Sequence, residues 1–278
     1  MCYNHARFVS EAIDSVMAQT HPFIQLIVMD DGSTDNSVQV IEKKLSNHPD
    51  VLFIKHHHNI GYCASLNEVL KHAKGEFIID LAADDVLLPD RIEMGLREMN
   101  RSEKKYNITF SDAILINEVG DSVGLHSQRF PHASIPQGDI YCNLISQFFI
   151  CPPTLMFRKS VLEQIGGYDE TLAFEDFDFL IRASRVALFC YSPKPLMKRR
   201  IVANSMANQQ FKRNSAQRWS TYAVCKKIRA LNRLRKEDNA LIKRLLYEVY
   251  VSFRLFEIRL ALKFLQLLFS VVFTRHHA

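Results

Sequence analysis

The chain has 278 residues, 47% hydrophobic and 23% charged, enough apolar matter for one large core, or one core with a small appendage. With only 9 Gly and 9 Pro it is not collagen-like or low-complexity, and its 6 Cys show no C-x-x-C pair or zinc-type spacing, which argues against a disulfide-stapled or zinc-built fold. The net charge of +5 conceals an asymmetry: residues 1–180 hold 14 Lys/Arg against 26 Asp/Glu, whereas residues 181–278 hold 21 against 4. An acidic first part suits metal-dependent chemistry, and a basic second part suits an anionic surface such as nucleic acid or a membrane face. The start, MCYNHARFVSEAID, lacks an apolar signal segment, so a cytoplasmic location is expected.

Taken in chain order, the first 120 residues alternate helical and strand patterns. Residues 6–19 have a helical apolar period, and IQLIVM (24–29) is a strand-length run ending at Asp30-Asp31-Gly32-Ser33. A second amphipathic run reaches Leu45, the strand-like residues 51–55 follow, and a helix over 64–73 stops at Gly75, a predicted C-terminal cap. The strand 76–81 ends at Ala83-Asp84-Asp85. This alternation predicts an α/β fold: a Rossmann-like mixed, mostly parallel sheet flanked by helices, with ligands at the carboxyl ends of the strands. Further strands are predicted over 108–111, 113–117 and 154–157, then a short helix closed by Gly166-Gly167 and another starting at Glu175. Beyond about residue 210 the pattern is wholly helical.

Asp30-Asp31 can close a strand and cap the next helix, and Asp84-Asp85 can be a solvated loop. Both pairs end consecutive strands, however, and carboxylates gathered in one crevice repel one another unless a hard divalent cation joins them. Glu175-Asp176, with Asp178, either complements the dipole of its own helix or supplies a general base; Asp178 should be nearly silent if it faces solvent on its helix. His56-His57-His58 reads as a solvated strand end. Cys63 has no neighbour that would activate a thiolate, and Ser33 no His/Asp partner in sequence.

In order and spacing, Tyr3-Asn4, Asp30-Asp31-Gly32-Ser33-Thr34-Asp35, Asn59-Ile60-Gly61, Gly75-Glu76-Phe77-Ile78, Ala83-Asp84-Asp85 with Pro89, Gly167-Tyr168-Asp169-Glu170 and Glu175-Asp176-Phe177-Asp178 resemble the family-2 inverting glycosyltransferases of GT-A fold. The resemblance covers roughly residues 2–205, and motifs in this series are far more specific together than any one alone. It implies that Asp30 or Asp31 hydrogen-bonds the base of a nucleotide, usually uracil. Tyr3, Asn4, Ser33, Asn59, Gly61, Asp84 and Arg200 would join them around the nucleotide. Asp84-Asp85 would hold Mn2+ or Mg2+, with Asp85 the more direct ligand, and Asp176, next to Glu175, would deprotonate the acceptor hydroxyl. Three departures stand out. Met1 occupies the place of a proline that ends a buried first strand in the family; absence of that strand would expose two neighbouring edges, so either the start lies upstream or this form is poorly stable or inactive. Ala82 stands where many members carry Asp. In Lys198–Ser205, Val202 stands where His is often seen in a flexible loop containing Arg200.

The second expected region, residues 206–278, is a basic, amphipathic helical tail. Its apolar stretch, residues 247–273, is interrupted by Arg254, Glu257, Arg259 and Lys263, and its longest uncharged run, 264–274, is too short to span a bilayer about 30 Å thick. It suits a helix packed on the catalytic domain or on a second copy of the chain, or one lying peripherally on the cytoplasmic face of the membrane. With few aromatics suited to base stacking, nucleic acid is not an expected partner. The resulting expectation is a metal-dependent transferase moving a sugar from a nucleotide-sugar, UDP-linked, to an acceptor hydroxyl on a lipid-linked glycan in surface polysaccharide synthesis. A catalytically silent subunit of a membrane-associated assembly is the alternative. A sugar-nucleotidyltransferase is disfavoured by the lack of a glycine-rich phosphate loop near the N-terminus.

Overall fold

A computed structural model describes residues 1–101, 106–130, 134–202 and 212–273. In chain order its elements are α1 (Val9–Met17), β1 (Ile27–Asp30), α2 (Ser37–Leu45), β2 (Leu52–Lys55), α3 (Tyr62–His72), β3 (Phe77–Ile78), β4 (Val86–Leu87), α4 (Arg91–Asn100), β5 (Ile108–Ile116) and β6 (Ser122–Leu125). Then come α5 (Tyr141–Ser146), β7 (Met156–Arg158), α6 (Lys159–Ile165), α7 (Glu175–Ala183), β8 (Phe189–Arg200), α8 (Ala216–Leu231), α9 (Arg235–Arg254) and α10 (Ile258–Phe273). They form two compact units.

The first unit comprises residues 1–138, 150–170 and 186–202 and contains both sheets. β1 and β2 pair in parallel, Ile27 opposite Leu52 through Asp30 opposite Lys55, because α2 carries the chain back across the sheet. The other sheet has the order β3-β7-β5-β8-β4, with β6 on β5. Of its pairings only β5–β8 is parallel, so strand directions are more mixed than expected. The two strands predicted over 108–117 are the single strand β5, and β8, its long partner, was not legible. Pro193 and Pro195 argue against a central strand, and the ladder accommodates them with register shifts between Ser111 and Ile114, where Pro195 faces Asp112. Gly166 closes α6 in the left-handed conformation (φ 78°) as expected, but α3 ends on an extended Ala73, so Gly75 is not its cap.

Two residues bridge the sheets. Cys2 N–H donates to Met29 O (2.8 Å) and Cys2 O accepts from Asp31 N–H (2.9 Å), while the Met1 ammonium donates to Leu81 O (2.8 Å) and Met1 O accepts from Ala83 N–H (2.9 Å). Met1-Cys2 therefore fill the width of one strand between β1 and residues 81–83. Between residues 24–28 and 75–81 that gap continues as an apolar cavity of 460 Å³, lined by Val9, Ile13, Leu26, Val28, Ile79 and Leu81 among others.

The second unit contains residues 139–149 and 171–185 and the described part of 203–278. Helices α8–α10 of the tail therefore group with α5 and α7, from earlier in the chain. α10 packs on α9 and α8, and α5 on α9. The stretch 247–273 is not one helix. The chain turns at Leu255-Phe256-Glu257, with Glu257 directed inward to Arg218 Nε (2.9 Å), whose Nη1 also pairs with Glu248 (2.6 Å). Sharing one buried guanidinium satisfies both carboxylates. Among the described residues no helix is long and apolar enough to cross a membrane.

Candidate active site

The Asp30–Ser33 turn follows β1 and is held from within. Asp30 is fully buried; its carboxylate accepts from Ser33 N–H (2.8 Å) and Ser33 Oγ–H (2.6 Å). Ser33 Oγ in turn accepts from Asn4 N–H (2.8 Å), and Asn4 Oδ1 accepts from Thr34 N–H (2.8 Å) and Asp35 N–H (3.3 Å). Asn4 adopts φ 58°, a conformation that Asn tolerates better than most residues. Tyr3 beside it is exposed. Gly32 is required twice over: its φ is 71°, and a Cβ there would sit 2.4 Å from the His58 backbone.

That close approach brings the 56–61 loop onto the turn. Asp31 accepts from Ile60 N–H and Gly61 N–H (both 3.0 Å), and its Oδ1 lies 2.9 Å from His56 Nδ1. Asn59 Oδ1 also accepts from Gly61 N–H (3.0 Å). Burial pushes the Asp31 carboxyl up, but hydrogen bonds from His56, Ile60, Ser65 and Gly61 bring it below its ordinary value. The hydrogen bond to Asp31 raises the His56 pKa against burial, and Glu68, 3.2 Å from Nε2, adds to the rise. His56 is thus not the solvated strand end expected from sequence but a partly buried link that fixes one of the two candidate base-binding carboxylates. The available signal was parity: in a run of three His after a strand, alternate side chains must face the turn.

Asp84 and Asp85 stand just before β4. Asp85 is buried, and its Oδ1 accepts from Arg200 N–H (2.8 Å). Burial, and next the charge of Asp84, push its carboxyl up to about 7, against the backbone hydrogen bond and charge of Arg200. Arg200 is not in a solvent-facing loop. Ending β8, its guanidinium donates to Asp84 O (2.9 Å), Asn117 O (3.2 Å) and Glu118 O (3.3 Å), and pairs with Glu11 (2.6 Å). In this arrangement it braces the Asp84-Asp85 loop from behind. Of the segment 198–205, positions 203–205 lie outside the described residues. His5 lies between the start of α2 and the Asp84-Asp85 turn. Its N–H donates to Ser37 Oγ (2.9 Å), and its ring Nδ1, buried without a hydrogen-bond partner, is 3.9 Å from Asp84 Oδ1.

These residues fit a divalent cation of the Mn2+ or Mg2+ type. Two adjacent carboxylates, one raised by burial and by the charge of the other, gain from a shared positive charge, and the His5 nitrogen beside them lacks a hydrogen-bond partner. Among the described residues no group of three His, Cys, Asp or Glu is gathered as a complete cage. One or two carboxylates completed by substrate oxygens is the usual arrangement for such ions.

The third acidic cluster belongs to the helical unit. Glu175, Asp176 and Asp178 occupy the first turn of α7, with Glu175 buried and Asp176 half-buried. Asp178 does not face solvent: it is buried and accepts from Arg182 Nε (2.7 Å) and Lys227 Nζ (2.6 Å), so it anchors α7 to α8.

The sequence profile described as Glycosyl transferase family 2 matches residues 1–166, and the chain belongs to that family. Relatives include an uncharacterized glycosyltransferase of Rickettsia felis, 30% identical over 201 residues that are 71% of this chain and 33% of that one. Another, from Rickettsia prowazekii, is 28% identical over 87% of this chain and 73% of its own length. The chain thus spans only a third of the length of the R. felis protein. Among solved structures it is similar to S. aureus TarS 1–349 in complex with UDP-GlcNAc (TM-score 0.66, 20% identity, 87% of this chain and 69% of that one). It is also similar to the mannosyltransferase PcManGT from Pyrobaculum calidifontis in complex with GDP-Man and Mn2+ (TM-score 0.67, 13% identity, 99% and 74%). At these identities the likeness establishes the fold, GT-A with a C-terminal helical region.

Proposed function

We propose that the chain is an inverting glycosyltransferase that moves a sugar from a nucleotide-sugar, UDP-linked, to the hydroxyl of a lipid-linked glycan in surface polysaccharide synthesis. One observation carries this reading: residues 1–5 tie both acidic turns together, with backbone bonds from Met1-Cys2 to either side and His5 reaching from Ser37 toward Asp84. One N-terminal segment thus holds both carboxylate pairs, Asp30-Asp31 at the carboxyl end of β1 and Asp84-Asp85 just before β4, and carboxyl ends of strands are where nucleotides bind in α/β sheets. In this reading Asp31, with Tyr3, Asn4, Ser33, Asn59 and Gly61 around it, receives the base. Asp85 and Asp84 would hold Mn2+ or Mg2+, which when bound offsets negative charge on a diphosphate leaving group. Asp176, oriented by Glu175, takes the acceptor proton, and a single displacement at the anomeric carbon inverts its configuration. The basic, apolar second unit supports a lipid-linked acceptor.

A second reading is a catalytically silent subunit, favoured by the lack, among the described residues, of any group of three His, Cys, Asp or Glu that could hold a metal by itself. Titrating the protein with UDP and manganese, followed by a donor-consumption assay, separates the two. Saturable, manganese-dependent UDP binding with sugar transfer is expected; binding without transfer would leave the silent reading, and no binding would reject the nucleotide site.

A further inference from the structure

We propose that the corner between α9 and α10 is a docking surface for an anionic lipid bilayer, with Phe256 as its inserted anchor. This deepens the lipid-side reading of the acceptor, yet it is measured without nucleotide and can fail or hold independently of it. The corner closes α9 by the six-to-one pattern, Glu257 N–H donating to Ser252 O (2.9 Å) and Phe256 N–H to Phe253 O (3.0 Å). The residue placed left-handed in such a closure is normally glycine. Here it is Phe256, at φ 55° and 73% exposed. A strained backbone and an aromatic ring in solvent both oppose folding, and neither contributes to the core. Around it, within two helical turns, Tyr250, Phe253, Ile258 and Leu262 are also exposed.

Charge selects the partner. From residue 239 to 273 the chain has only two carboxylates, Glu248 and Glu257, and both are turned inward onto Arg218. The exposed charges over that span are Lys243, Arg254, Arg259 and Lys263, all positive. Arg259 and Lys263 also line, with Ile258, Leu262 and Gln266, a shallow depression of 360 Å³ on one side of α10. Apolar and aromatic side chains interleaved with cations, and no exposed anion, match a headgroup layer of negative lipids. A second copy of the same surface would set cation against cation, which disfavours a two-fold contact.

The test is sedimentation of the full chain with vesicles of phosphatidylcholine alone or mixed with phosphatidylglycerol. Each exposed cation near an anionic surface strengthens partition by about fivefold, so binding to the mixed vesicles should exceed binding to the neutral ones by at least about tenfold. Phe256→Gly removes the ring and supplies the residue the backbone favours. It should lower vesicle binding severalfold while the thermal midpoint holds or rises, an outcome a merely structural Phe256 would not give. R254Q/R259Q/K263Q should abolish the preference for phosphatidylglycerol. Equal binding of the unmodified chain to both vesicles, or unchanged binding by Phe256→Gly, would overturn the proposal. So would a dimer in light scattering that Phe256→Gly converts to monomer without any vesicle binding.

Discussion

Asp85→Asn should make the cation-free protein more stable while removing its response to manganese. The carboxyl of Asp85 is raised from 3.8 to about 7 by burial and by Asp84. An acid whose folded-state pKa is raised binds its proton more tightly when folded, so it opposes folding once ionised. The cost is absent below pH 3.8, grows as pH rises toward 7 and is complete above it. A rise of about three pH units corresponds to at most about 4 kcal/mol, and Asn retains an oxygen that can accept from Arg200 N–H. The variant should therefore show a higher urea midpoint than the unmodified protein at pH 8 without metal, and little difference at pH 4. Manganese at about 100 times its Kd should stabilise the unmodified protein by about 2.7 kcal/mol and the variant hardly at all. An Asp85→Asn protein less stable than its parent at pH 8, or one that gains as much from manganese, would refute the argument. Asn is the better substitution, because Ala at this buried position would strand the Arg200 N–H.

Three further outcomes are expected. His56→Gln should cost about 1–2 kcal/mol at pH 5–6, measured by urea denaturation. The loss should shrink as pH rises through the raised His56 value, since a raised base contributes fully below its unfolded 6.5; lowered Asp31 withdraws its own contribution only on the acid side. Asp176→Asn should reduce kcat by about 10²–10⁴ with UDP binding intact, and Glu175→Gln should do less; wild-type kcat, or a defect in UDP binding alone, would remove Asp176 from the base role. Asp178→Ala should lower the unfolding free energy, measured by urea denaturation, by about 2 kcal/mol or more, because it strips Arg182 and Lys227 of a buried partner; a silent substitution would contradict the ion pairs at 2.7 and 2.6 Å.

The sequence alone determined the fold class and marked the candidate site positions, because both are written locally. Apolar period separates helix from strand along residues 1–120, and acidic pairs directly after strand-length runs mark ligand-binding ends whatever packs around them. The ordered motifs from Tyr3 to Asp178 carried the family. Only the tertiary structure decided what those positions do physically. That Asp31 is held by His56, that Arg200 braces Asp84-Asp85 from behind, and that Asp178 is an anchor depends on residues 25 to 116 positions apart meeting in space. No period or spacing encodes such meetings. The same holds for β8, whose prolines hide a strand that its register shifts permit. It holds too for the tail, where an apolar period continuous through residues 247–273 conceals a turn. Glu257 leaves the helical line to reach Arg218, a partner 39 residues away, and the break leaves Phe256 in water.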